Sequence, residues 1–153
     1  MALFLVQHGK NLKKDVDPEQ PLSDEGIADV KRIAETAANY NVKIDEIRHS
    51  GKKRALQTAE IFADYLQVSG GANEMAGIKA LDAVEPIAKG VDTNKNIMLV
   101  GHLPFMERLT SLITAGNPDI TVMKFQNGGI VCLDQVDDTG NWAIKWTLMP
   151  NIG

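Results

Sequence analysis

Histidine, arginine and glycine recur at three places where short apolar runs end. Val6-Gln7-His8-Gly9 closes the first run, Ser50-Gly51-Lys52-Lys53-Arg54 follows the second, and Val100-Gly101-His102-Leu103-Pro104 closes the third. A neutral imidazole is a nucleophile near pH 7 and can carry a phosphoryl group. Gly9 allows a ligand to approach the backbone closely. An arginine in the first turn of a helix sets a planar fork where free N–H groups already favour an anion. A second histidine supplies further hydrogen bonds to the same group. Each stretch alone also has an ordinary reading: a packed histidine at a strand end, a solvated basic turn, an incidental loop histidine.

The elements that must position these residues are legible as apolar patterns. Leu3-Phe4-Leu5-Val6 and Ile97-Met98-Leu99-Val100 are continuous apolar runs, the mark of strands buried on both faces. Ile44 to Arg48 is a shorter strand, and Ile78 to Leu81 is expected to be another. Gly9 to Pro21 is a long polar loop holding Lys10, Asn11, Lys13 and Lys14. Ser23 can cap a helix that begins with Asp24 and Glu25 and carries Ile27, Val30, Ala34 and Ala37 at helical spacing. Ala55, Ala59, Phe62 and Leu66 form the stripe of a second helix over about 53–66. Phe105, Leu109, Leu112 and Ile113 mark a third, which Gly116-Asn117-Pro118 stops. Gly129 to Leu133 and Trp142 to Leu148 read as a closing hairpin around Asp137-Asp138-Thr139-Gly140. This order predicts one domain over residues 1–153, a three-layer α/β/α fold with a mostly parallel sheet and an antiparallel edge. In such sheets ligands bind at the carboxyl ends of the strands, where His8, Arg54 and His102 all fall.

Composition narrows the chemistry. A chain of 153 residues, 44% hydrophobic and 24% charged, is expected to be a soluble globular domain. Its net charge of −4 speaks against a general nucleic-acid binder. The single cysteine, Cys132, cannot build an internal disulfide framework, which fits a reducing compartment. No apolar run reaches membrane-spanning length, and the opening run is too short for a leader core, so a cytoplasmic location is expected. Neither Gly9-Lys10 nor Gly51-Lys52 has the remainder of a nucleotide-binding P-loop. The three histidines lack ligand spacing, so no metal or cofactor is expected.

Taken in order, the motifs resemble the histidine phosphatase superfamily, which has the phosphoglycerate-mutase-like fold. That family carries Arg-His-Gly at the end of its first strand, where this chain has Gln7-His8-Gly9. Its Pro-Leu-[Ser/Thr]-x-x-Gly helix start is similar to Pro21 through Gly26. Its Ser-x-x-x-Arg-Ala-x-Gln-Thr-Ala resembles Ser50 through Ala59, and its Gly-His-x-Pro resembles Gly101 through Pro104. The short length, Pro-Leu-Ser and Gly-His-Leu-Pro resemble the SixA-type branch, the phosphohistidine phosphatases.

The resemblance implies that His8 is the nucleophile, Arg54 binds phosphoryl oxygens and His102 stabilises the transferring group. It places Gln7, Gly9, Lys10 and Asn11 around the substrate, and makes the partner a phosphohistidine-bearing protein or a small phosphorylated compound. Relatives place a general acid in the stretch Leu81 to Pro86, where Asp82 and Glu85 are the candidates. A phosphohistidine leaves as imidazole and needs an acid less than an alkoxide does. Relatives also carry a full helix where this chain has a short polar stretch, Glu85 to Asn96. The other departure is Gln7. An amide keeps an NH₂ donor but loses the charge and the fork of arginine. A charged hydrogen bond contributes about 1.5–3 kcal/mol, which converts to a slowing of roughly 10- to 100-fold. Two readings stay open: a slowed phosphatase working through phospho-His8, and a degenerate member that binds phosphorylated ligands without significant turnover.

Overall fold

The computed structural model describes residues 1–152. A six-stranded sheet has the order β3-β2-β4-β1-β5-β6. The strands are β1 (Ala2–Gln7), β2 (Glu46–His49), β3 (Ala72–Glu74), β4 (Ile97–Gly101), β5 (Ile130–Gln135) and β6 (Trp142–Leu148). The first four in that spatial order run parallel, and β5 and β6 form the antiparallel edge. Four helices cover the two faces: α1 (Asp24–Asn39), α2 (Lys53–Tyr65), α3 (Glu85–Lys89) and α4 (Phe105–Ala115).

Alternation along β1 explains the layers. Phe4 and Val6 face α1 and α2, packing with Val30, Ile33, Ala59 and Phe62. Leu3 and Leu5 face the other way, onto Phe105, Met106 and Leu109 of α4. Both faces of the strand are thus dry, as its unbroken apolar run requires. Ser23 caps α1 as its position suggests, its Oγ accepting from the Gly26 N–H at 3.0 Å.

One expected strand is absent. Ile78 to Leu81 is a turn, and β3 lies earlier, directly after Gly71. Gly77 takes a φ of +89°, which ends extended structure. The Asp82 carboxylate then accepts from the Lys79 N–H at 2.8 Å and closes the turn. Of its three apolar residues, Ile78, Ala80 and Leu81, only Ile78 is buried in the core. The polar stretch Glu85 to Asn96 contains only the five-residue α3. Strand β2 begins at Glu46 rather than Ile44.

Candidate active site

Strands β1, β4 and β2 are consecutive neighbours in the sheet and end on one side of it. Gln7 pairs with Gly101, so the residues that follow them, His8 and His102, stand side by side. Their ring centroids are 5.1 Å apart and the planes are tilted by 53°. Ser50 follows β2, and Arg54 occupies the first turn of α2 on the same edge.

The backbone around His8 is fastened from three directions. The His8 N–H donates to the Gly101 carbonyl at 2.9 Å, and the Asn127 side-chain amide donates to the His8 carbonyl at 2.9 Å. The Gly128 N–H donates to the Gln7 carbonyl at 2.9 Å. The Gly9 N–H donates to Thr58 Oγ1 at 2.9 Å, and that hydroxyl donates onward to the Arg54 carbonyl at 2.7 Å. Thr58 lies four residues after Arg54, one helical turn on, so α2 presents the phosphate-binding candidate and the clamp on the same face. Neither Thr58 nor Asn127 was expected from sequence as a site residue. The i, i+4 spacing could have revealed Thr58.

The Pro-Leu-Ser-x-x-Gly stretch serves the same loop. The Lys10 carbonyl accepts from the Ser23 N–H at 3.0 Å, and the Leu22 N–H donates to Gln57 Oε1 at 2.8 Å. A Cβ on Gly26 would collide with the Lys10 carbonyl, so only glycine lets α1 pack this closely.

This framework fixes the His8 tautomer. Its Nδ1 lies 2.8 Å from the Gly9 carbonyl, which can only accept. The ring proton therefore sits on Nδ1, and Nε2 carries the free lone pair. Burial lowers the His8 pKa; the Gly9 hydrogen bond opposes this and Arg54 adds to it. Burial also pushes His102 down to about 4, with His8, Arg54 and Lys52 adding to the effect. His102 Nε2 is 2.6 Å from Ser50 Oγ. A neutral His102 that accepts from Ser50 keeps its own proton on Nδ1, ready for an oxygen. Ser50 was quoted in the sequence motif but given no role there.

Arg54 is half-buried, and burial lowers its pKa from a high starting value, so it stays charged near neutrality. Among the described residues no carboxylate lies within ion-pair distance of it. It opens with His102 and Lys52 onto a cleft of about 340 Å³, bounded opposite by Lys79 to Asp82. Of the two carboxylates considered from sequence, Asp82 lines this cleft and Glu85 does not. A larger hollow of about 410 Å³ between Tyr40, Val42 and Trp146 holds none of the site residues.

The remaining candidates sit less centrally. Lys10 Nζ is ion-paired with Glu25 at 2.6 Å, and Asn11 Nδ2 donates to the Leu12 carbonyl at 2.9 Å. Gly9 packs against Val30, where a Cβ would come within 2.8 Å of a methyl carbon. Gln7 projects on the face of Leu3 and Leu5. Its Oε1 is buried without a partner among the described residues, so the NH₂ is the end left to meet a ligand. His49 Nδ1 accepts from the Gly51 N–H at 3.1 Å and is part of the turn. Burial raises the Cys132 thiol to about 11, which leaves it unreactive.

Two imidazoles thus stand at adjoining strand ends, with an unpaired guanidinium in the first turn of α2 on the same side of the sheet. The family model for branch 1 of the histidine phosphatase superfamily matches residues 3–76. The phosphohistidine phosphatase SixA of Escherichia coli (strain K12) is 23% identical over 156 residues, covering 98% of this chain and 94% of that one. The chain is thus similar to the histidine phosphatase superfamily over its first half by family model, and to SixA over nearly its whole length at low identity.

Solved structures agree in fold. The protein histidine phosphatase SixA complexed with tungstate superposes with a TM-score of 0.82 at 23% identity, covering 98% of this chain and 97% of the other. The Entamoeba histolytica phosphoserine phosphatase with 3-phosphoglyceric acid gives 0.72 at 16% identity, with 95% of each chain covered. The phosphoglycerate-mutase-like fold of these structures therefore extends over this chain, including the parts beyond residue 76. No helix among the described residues is long and apolar enough to cross a membrane.

Proposed function

We propose that this protein is a histidine phosphatase superfamily member and a metal-independent phosphohistidine phosphatase working through a phospho-His8 intermediate. The observation that carries the reading is the Nδ1–H bond from His8 to Gly9, which leaves the Nε2 lone pair free beside His102 and the unpaired Arg54. In the first step Nε2 attacks phosphorus of a phosphohistidine whose ring is already protonated at its other nitrogen. As the P–N bond breaks the substrate ring leaves as neutral imidazole, and phospho-His8 keeps its Nδ1 proton. Arg54 and the His102 Nδ1–H hold the phosphoryl oxygens as charge shifts across them. Water then attacks phospho-His8, releasing inorganic phosphate and restoring the neutral ring. The likeness to SixA supports phosphohistidine as the substrate group, and the phosphorylated side chain of a protein is the form proposed.

Gln7 favours a second reading, a member that binds phosphorylated ligands with little turnover. It supplies one neutral donor where the family supplies a charged fork, and its other amide atom is orphaned. Incubation with phosphoramidate, followed by mass spectrometry under non-acidic conditions, separates the two. The phosphatase reading expects acid-labile phosphate on His8 together with phosphate release, both raised roughly 10- to 100-fold in Gln7→Arg. No label in the wild type, with label in Gln7→Arg, supports the binding reading. No label in either overturns the assignment of His8.

A further inference from the structure

The cleft beside Arg54 has an uneven distribution of charge. Lys10 and Lys53, which border the first loop, are neutralised by Glu25 and Glu19 at 2.6 and 2.7 Å. Lys52 and Lys79 line the cleft itself, and neither has an acidic partner among the described residues. The one carboxylate in the cleft, Asp82, is engaged by the Lys79 backbone N–H rather than by either ammonium. Two unpaired lysines therefore flank the phosphoryl-binding arginine, in a chain whose net charge is −4.

Leu81 adds an apolar element to the same lip. It is 90% exposed, although it stands between two residues that line the cleft. A leucine held fully in water gains only when another surface covers it. The five-residue α3 and the turn at 78–82 leave this side of the cleft without a cover of its own.

We infer that the lip of Lys52, Lys79 and Leu81 is a docking surface for an acidic protein face, with carboxylates flanking the phosphorylated side chain and an apolar residue meeting Leu81. This deepens the reading of the site as a phosphohistidine phosphatase and rests on it. A small phosphorylated compound would fill the region near Arg54 and leave Leu81 in water. Carboxylates on either side of the phosphoryl group match the two free ammonium groups and steer the encounter.

Fluorescent peptides carrying a stable phosphohistidine analogue test this by anisotropy, which reads binding whether or not turnover occurs. One peptide has glutamates on both sides of the analogue, and its twin has lysines. The wild type is expected to bind the acidic peptide at least about tenfold more tightly, with the preference shrinking as salt rises. The double variant Lys52→Glu/Lys79→Glu is expected to reverse the order, and Leu81→Ser to weaken the acidic peptide about threefold. Circular dichroism verifies that each variant folds. Equal binding of the two peptides, or a preference that survives charge reversal, overturns the inference. Those results leave the phosphatase reading intact if phosphoramidate still labels His8. A retained acidic preference with no label supports the docking surface and instead overturns turnover. Binding of free phosphohistidine as tight as that of the acidic peptide would make the ligand a small molecule and also sink the proposal.

Discussion

The floor, meaning the backbone that carries His8, and the lip, which borders the cleft beside Arg54, are built in opposite ways. On the floor, the backbone from the Gln7 carbonyl to the Gly9 N–H is bonded to β4, to α2 and to the loop before β5. On the lip, the turn from Lys79 to Asp82 is closed by a side-chain bond within itself, and Leu81 lies in solvent. Reacting groups need fixed geometry, because a displacement of an ångström costs much of the rate. A surface that only selects a partner can be open. Change on the floor should therefore alter chemistry and stability together, whereas change on the lip should alter partner preference.

Substitutions test that contrast. Removing the proposed nucleophile should have the largest effect: His8→Asn is expected to abolish the acid-labile label and reduce phosphoramidate turnover by about 10³-fold or more, read as phosphate release. Residual label at another residue would relocate the chemistry. Arg54→Lys keeps the charge but loses the fork, and a fall of about 10²-fold in kcat/KM is expected from steady-state kinetics.

The proton balance of the floor comes next. Burial holds His102 neutral down to about pH 4 in the folded state, while an unfolded histidine protonates near 6.5. The unfolded chain therefore binds more protons between these values, and stability falls as pH drops through that window. His102 contributes to that fall, which is complete only below its folded-state value of about 4. Thermal melts at pH 7, 6 and 5 should show a falling Tm, and saturating phosphate should flatten the fall, because an anion opposes the effects of Arg54 and Lys52 on His102. A Tm that rises with acid would contradict the buried neutral ring.

Thr58→Val should cost about 1–3 kcal/mol in urea unfolding, since it orphans the buried Gly9 N–H while keeping the side chain's shape. Thr58→Ser should restore most of it. On the lip, Asp82→Ala is expected to change stability by only about 0.5 kcal/mol. A loss as large as that of Thr58→Val would erase the distinction between floor and lip.

Much of this was legible in the chain because the site's reactive residues follow apolar strands, whose patterning is strong. Leu3 to Val6 and Ile97 to Val100 announce themselves, and His8 and His102 follow from them. Strand β3 does not: Asn73 and Glu74 sit on an exposed edge and carry no apolar signal, whereas Ile78 is buried without being in a strand. The supporting contacts are hidden for another reason. Asn127 is 119 residues from the carbonyl it holds, and Ser50 is 52 from its histidine, so only the strand order brings them together. The role of Lys52 depends likewise on the turn across the cleft.

The strand order has a consequence for how the protein comes to be active. β4 lies between β2 and β1, and β1 has no neighbours other than β4 and β5. A chain emerging from the ribosome therefore holds His8 and Arg54 before the strand that joins β1 to β2 has emerged. Insertion of residues 97–101 is the event that joins them, and it is a pairing of high sequence separation, slow for reasons of loop entropy. The candidate centre needs β4 in place, and a truncated product that ends before β4 carries His8 without a partner strand to set it beside His102.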